Sequence, residues 1–179
     1  MKGIVFTEFF EMVEEKFGYE MVDKIITTSN LESEGIYTAI GTYPFSEMVQ
    51  LLMGLSRETK TDPNVLLKVF GEYLFNTFLK LYPQFFHNSN NTFDFLASID
   101  DYIHVEVKKL YPDAALPSFS AKVDEKGNLE LFYTSERKMG ALAHGLIEKS
   151  IEYYNENLTV SLEQISEDGS EVKFYISKA

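Results

Sequence analysis

Three histidines, His87, His104 and His144, are the only side chains here whose neutral imidazoles could bind a metal, and no cysteine accompanies them. No pair stands at the HxxxH spacing of a multi-histidine zinc site. His87 lies in the polar run HNSNN, a solvated loop by composition. His104 stands among Ile99, Ile103, Val107 and Leu110 in a helix-patterned segment, with Asp100 and Lys108 one turn away on the same side. A lone helical histidine is more often structural than ligating. A metal held by one imidazole must therefore bring its other ligands with it, as the iron of a haem does.

A second set of donors follows downstream. Tyr133, Ser135 and Arg137 alternate along a strand-like run, YTSER, so the spacing predicts that all three project from one face. On a buried face such a trio is costly unless partnered. Carboxylates carried by a ligand would satisfy it, Arg137 bidentately and the hydroxyls as further donors. The plainer reading is an exposed strand face with tyrosine as an amphipathic cover. One imidazole plus a two-carboxylate clamp fits haem, while the clamp alone would also fit a haem-free module for an apolar acid.

The elements that must position these residues are legible in the periodicity. Apolar residues recur helically from Val5 to Phe17, with Gly18 as a stop, and a second helix is expected over 19–28. The Gly- and Ser-punctuated run from Ser29 to Pro44 reads as loop, and a helix opens near Ser46. Asp62 and Pro63 form a helix start, and the segment they open is apolar almost all round, so it is expected to be buried centrally. Gly71 inside it implies a close neighbour, a flat ring or another helix. Helical patterning then runs from Phe93 through His104 and stops at Pro112. Beyond Pro117 the period turns to alternation: two strands around EKGN, an amphipathic helix over GALAHGLIEKSIEYYNE, and two strands around EDGS. The expected fold is α+β, an N-terminal helical lobe and a C-terminal lobe with a four-stranded antiparallel sheet and a helix.

Composition bounds the function. The 179 residues fit one domain. Forty-five per cent are apolar and 15% aromatic, which places the chain with ordered globular proteins. A net charge of −12 disfavours nucleic acid and anionic membranes as partners. Glu8, Glu11, Glu14 and Glu15 break any signal-peptide core, and no run is long enough to span a bilayer, so a cytoplasmic location is expected. The absence of cysteine removes disulfides, iron–sulfur ligation and thiol nucleophiles.

The run HVEVKKLYPDAALP from His104 to Pro117, followed by YTSER at 133–137, resembles the H-NOX haem-nitric oxide/oxygen-binding family, to which the sensor domain of soluble guanylate cyclase belongs. The opening MKGIVF and the Phe70-Gly71 helix are also similar, so the resemblance covers essentially the whole chain. It implies a single H-NOX domain that clamps haem b (iron protoporphyrin IX) between a distal helical lobe, about residues 1–62, and a proximal lobe, about 63–179. His104 then corresponds to the proximal iron ligand, Tyr133, Ser135 and Arg137 to the propionate donors, and Pro117 to the proline that presses the macrocycle out of plane. Ile4, Val5, Leu74, Phe78, Leu142 and Leu146 correspond to distal-face positions. Oxygen-binding relatives carry a tyrosine where this chain has Leu142; leucine has no donor, so bound oxygen loses a hydrogen bond of about 1.5–3 kcal/mol. Tyr73 and other aromatics are the remaining candidates to supply one.

The resemblance therefore implies a non-enzymatic, stand-alone bacterial sensor of nitric oxide and carbon monoxide that excludes oxygen. Its signal would arise from loosening of the bond to His104 and rotation of the lobes, and would pass to a histidine kinase or, alternatively, to a diguanylate cyclase or phosphodiesterase. Competing functions are an oxygen-binding haem sensor and a peroxidase-like haem enzyme. The latter needs a distal acid–base group, and helix periodicity puts His144 about 200° from Leu142.

Overall fold

The computed structural model describes all 179 residues. The chain forms α1 (Gly3–Phe17), α2 (Tyr19–Thr27), α3 (Phe45–Thr59), α4 (Pro63–Leu81), α5 (Thr92–Ala97), α6 (His104–Leu110), β1 (Ser118–Val123), β2 (Leu129–Thr134), α7 (Gly140–Tyr153), β3 (Leu158–Gln164) and β4 (Glu171–Lys178). The strands make one antiparallel sheet in the order β1-β2-β4-β3, so the class is α+β as expected.

Two apolar cores share α4. The first gathers Phe6, Phe9 and Met12 of α1, Ile25 of α2, Leu51 and Leu55 of α3, and Leu66, Phe70 and Leu74 of α4. The second packs Phe75 of α4 and Ala143, Ile147 and Ile151 of α7 on the inner sheet face, where Leu131, Phe174 and Ile176 are fully buried. Each such side chain stabilises by about 1.5–3 kcal/mol over an exposed one. Asp62 caps α4 through Oδ1, which accepts the Asn64 amide at 2.8 Å, with Pro63 in the first turn.

Helices α4 and α7 cross with almost no space between backbones. A Cβ on Gly71 would sit 2.1 Å from the Leu142 carbonyl oxygen, and one on Gly145 would sit 2.0 Å from that of Lys68. The close neighbour implied by Gly71 is therefore a helix and not a ring. The crossing fixes Leu142 and Leu146 against Leu74 and Phe78, at the seam between the two cores.

The segment before α1 and the loop 28–44 hold each other. Lys2 bridges to Thr42, and the Gly3 and Ile4 amides donate to the carbonyls of Gly41 (2.8 Å) and Ala39 (2.9 Å). Glu47 of α3, only 2% exposed, anchors the loop by accepting from the Ser33 amide and hydroxyl and from Tyr37. Burial pushes the Glu47 carboxyl up, but these donors outweigh it and hold the group below its ordinary value.

The expectation of one continuous helix through His104 is not met. After α5 the chain turns at Ser98 and passes through a π-helical turn, Ile99–Ile103, in which the Ile103 amide donates to the Ser98 carbonyl at 3.2 Å. Periodicity cannot register one residue added to a turn, yet the insertion re-aims everything after it. His104 is the first residue so re-aimed.

Candidate functional site

Between α1, α4, α6, α7 and the sheet lies a cavity of about 440 Å³, lined by 33 residues of which 26 are apolar. That volume is within the usual range of cofactor and small-molecule sites, about 300–1,000 Å³. Its wall carries His104 and Pro117, then Tyr133, Ser135 and Arg137, and the apolar set Ile4, Val5, Leu74, Phe78, Leu142 and Leu146.

His104 reaches the wall from the N-terminus of α6. Its Nδ1 lies 2.7 Å from Asp100 Oδ1, and its ring packs 5.8 Å from that of Phe119. The second Asp100 oxygen accepts from the Phe119 amide at 2.9 Å and the Ser118 hydroxyl at 3.0 Å. Asp100 thus ties the π turn to the start of β1 and fixes the imidazole between them. Burial lowers the His104 pKa and prevails over the raising influence of Asp100, with Lys108 also lowering it, so the ring is neutral at pH 7. With Nδ1–H donated to the carboxylate, Nε2 keeps the free lone pair a metal requires. The sequence showed Asp100 beside His104 but not its role; the i, i+4 spacing was the available signal.

The Tyr-x-Ser-x-Arg trio converges, though not as residues on one strand face. Strand β2 ends at Thr134. Tyr133 is 3% exposed on the inner face, and its hydroxyl accepts the Met139 amide at 3.1 Å. Ser135 and Arg137 lie in the turn that follows, where the Ser135 amide donates to Ser170 (2.9 Å), the Arg137 amide to the Ser135 hydroxyl (3.2 Å), and Lys138 adopts φ 55°. The turn supplies the shared direction that strand alternation was expected to supply, because β2 runs out one residue too early.

Arg137 has no carboxylate partner among the ion pairs of the molecule; its guanidinium packs 5.8 Å from the Phe45 ring. Burial lowers its pKa, with Tyr133 opposing. A half-buried, unpaired guanidinium at the edge of an apolar cavity is arranged to receive an acid.

The remaining tyrosines resolve as well. Tyr73 is not on the wall, whereas Tyr82 and Tyr111 are. Their hydroxyls bond to each other at 3.0 Å, at the ends of α4 and α6. The pair is therefore tied to the His104 helix and not to α7, where Leu142 stands. His144 is outside the cavity, 3.4 Å from Glu148 and with its ring 6.0 Å from that of Phe174. His87 is exposed in a turn. No group of three or more His, Cys, Asp or Glu side chains forms a self-sufficient metal site. The donor set therefore fits a metal that arrives within an apolar, carboxylate-bearing macrocycle.

Comparison with known proteins agrees with that geometry. A haem-NO-binding family model matches residues 2–162. The Fe(II) unliganded H-NOX protein of K. algicida superposes with a TM-score of 0.95 at 49% identity, covering 100% of this chain and 97% of that one. The H-NOX of Shewanella woodyi in the Fe(II)CO state, bound to IWP-051, gives 0.83 at 37%, covering 100% and 95%. The H-NOX protein of S. oneidensis in the Fe(II)NO state gives 0.91 at 22%, covering 99% and 98%, a likeness of fold. No curated protein matches the chain significantly.

Proposed function

The chain belongs to the haem-NO-binding (H-NOX) family of haem-based gas sensors, and on that premise we propose that it senses nitric oxide and carbon monoxide at a ferrous haem b while excluding oxygen. The observation that carries the reading is the pairing, on the walls of one apolar cavity, of the His104 imidazole with its Nε2 lone pair free and the unpaired Arg137 guanidinium. When bound, the haem would supply an iron able to take a diatomic gas, with His104 as the residue that would hold it.

The chain's residues divide the remaining work. His104 Nε2 would bind the iron, and Asp100 holds the ring in the tautomer that permits it. Arg137, Ser135 and Tyr133 would take the carboxylates, and Pro117, on the same wall, would bear on the macrocycle. Ile4, Val5, Leu74, Phe78 and Leu146 form the apolar wall, and Leu142 brings no hydroxyl to it. Without a hydroxyl from Leu142, bound oxygen would lack that hydrogen bond, which disfavours it relative to nitric oxide and carbon monoxide.

The signal leaves through the segment 98–119. Because Asp100 ties His104 to β1, any loosening of the imidazole's hold is felt at both α6 and the sheet. The two lobes, about 1–62 and 63–179, then shift relative to each other as a two-state element. The output is relayed to a separate protein, a histidine kinase before a diguanylate cyclase or phosphodiesterase. A net charge of −12 suits a basic docking face on that partner. By the same reading it works as a cytoplasmic sensor rather than an enzyme, and His144, the histidine nearest in sequence to Leu142, stands outside the cavity.

The decisive measurement is the visible spectrum of the reduced protein, first under air and then with nitric oxide or carbon monoxide. A Soret band unchanged by air and shifted by both other gases is expected; a stable oxygen complex overturns the selectivity, and no Soret band overturns the haem reading. Imidazole-supplemented His104→Gly protein severs the ring from the chain. Wild-type signalling from it would overturn the relay through α6.

A further inference from the structure

A second cation stands on the cavity wall beside Arg137. Lys2 precedes α1, and its place is fixed by the backbone bridge to Thr42. Its Nζ donates to Thr42 Oγ1 at 2.8 Å and to Asp113 at 3.1 and 3.4 Å, while the Thr42 hydroxyl donates to Asp113 Oδ2 at 2.7 Å. Lys2, Thr42 and Asp113 all line the cavity that Ser135 and Arg137 line. Asp113 lies between α6 and Pro117, so this cluster joins the first turn of the molecule to the segment that carries His104.

The two members of the ion pair differ in burial. The Lys2 side chain is 14% exposed and that of Asp113 is 59% exposed. A carboxylate so solvated and screened holds an ammonium weakly. A carboxylate arriving inside an apolar cavity is less hydrated and attracts the same ammonium more strongly. Lysine has three donor hydrogens, of which Thr42 and Asp113 occupy two directions. Apart from His104, the charged side chains on the wall are Lys2, Arg137 and Asp113, two cations against one anion in a protein of net charge −12. That local excess of positive charge is complementary to a dicarboxylate.

We infer that Lys2 is a fourth donor to the carboxylates of the bound cofactor, with Thr42 as the positioning residue that holds its ammonium and Asp113 as the anion the cofactor displaces from it. The inference rests on the haem reading of the site and extends it to a residue outside the Tyr-x-Ser-x-Arg motif. Asp113 is then a competitor for the ammonium, so removing the lysine and removing the aspartate act in opposite directions.

The test measures equilibrium binding and dissociation of ferric haem, and of its dimethyl ester, by wild-type, Lys2→Met, Lys2→Arg and Asp113→Asn proteins. Lys2→Met is expected to weaken haem about tenfold, the value of one charge-assisted hydrogen bond. Lys2→Arg should recover most of that loss, and Asp113→Asn should tighten binding. The dimethyl ester, which lacks carboxylates, should bind Lys2→Met as it binds wild type. Equal weakening by Lys2→Met and Asp113→Asn would overturn the inference, because the pair would then be a structural strap between two parts of the chain. Loss confined to Lys2→Met but equal for haem and its ester would also overturn it, since the lysine would then act through the fold. Wild-type protein that binds no haem would defeat the haem reading itself, and is distinguishable from both.

Discussion

Helices α6 and α7 each carry a histidine with a carboxylate four residues away: Asp100 before His104, and Glu148 after His144. In both, burial lowers the imidazole pKa against the pull of the acid. Yet His104 faces a cavity with one nitrogen fixed by Asp100 and the other free. His144 is wedged between α4 and the sheet, with Lys68 bridging to Glu148 at 2.8 Å and its own Nε2 buried without a hydrogen-bond partner. The same local sequence feature thus becomes a ligand-presenting group on one helix and a packing residue on the other. The difference lies in what each helix is packed against: α7 is pressed to α4 through Gly71 and Gly145, whereas α6 borders the cavity.

The sharpest way to break that contrast is to remove each ring. His104→Ala should lower haem affinity by roughly a hundredfold or more, beyond the 10–100-fold typical of outer-shell changes, whereas His144→Gln should alter it by about twofold or less. Comparable losses in a haem titration would mean the two sites are not distinct. Leu142 is among the α7 residues that line the cavity, and Leu142→Tyr should raise oxygen affinity by roughly ten- to a hundredfold, the value of one hydrogen bond to a charged acceptor. Spectra of the reduced protein under air would read this directly, and an unchanged spectrum would remove Leu142 as the selectivity residue.

A finer test separates the two acids. Asp100→Asn keeps the shape but removes the charge behind His104 and should weaken haem about tenfold. Glu148→Gln should leave binding unaltered, and the iron–histidine stretching frequency should fall in the first protein alone.

The smallest effect is on stability against pH in the haem-free protein. Both imidazoles have folded pKa values below the ordinary value of about 6.5. The unfolded chain therefore takes up protons first as pH falls through that value, and stability drops until the folded pKa is passed. Melting temperature should decline by a few degrees between pH 7 and pH 5.5, less so in His144→Gln. A flat profile in both proteins would show that neither ring is held neutral by the fold.

Much of the fold was legible because the signals are local. Asp62-Pro63 marked the start of α4, alternation around EKGN and EDGS marked the four strands, and the apolar girth of α4 marked its central place. The break at Ser98 and the π turn were not legible, because one residue added to a turn leaves no trace in periodicity. The trio at 133–137 does line one cavity, but not through strand alternation, since a turn stabilised by Ser170 and Lys138 takes over where the strand ends.

The sequence by itself determined which side chains were available: a lone imidazole in apolar company, a tyrosine, serine and arginine two apart, a leucine without a donor, and no cysteine. Residue type sets chemistry, and that information needs no coordinates. Only the tertiary structure decided that the two sets face one cavity, that Asp100 and not solvent holds the His104 ring, and that His144 lies outside. Those are relations between elements up to 111 residues apart, such as Lys2 and Asp113, and they are fixed by which faces of helices and sheet exclude water together rather than by any neighbour in the chain.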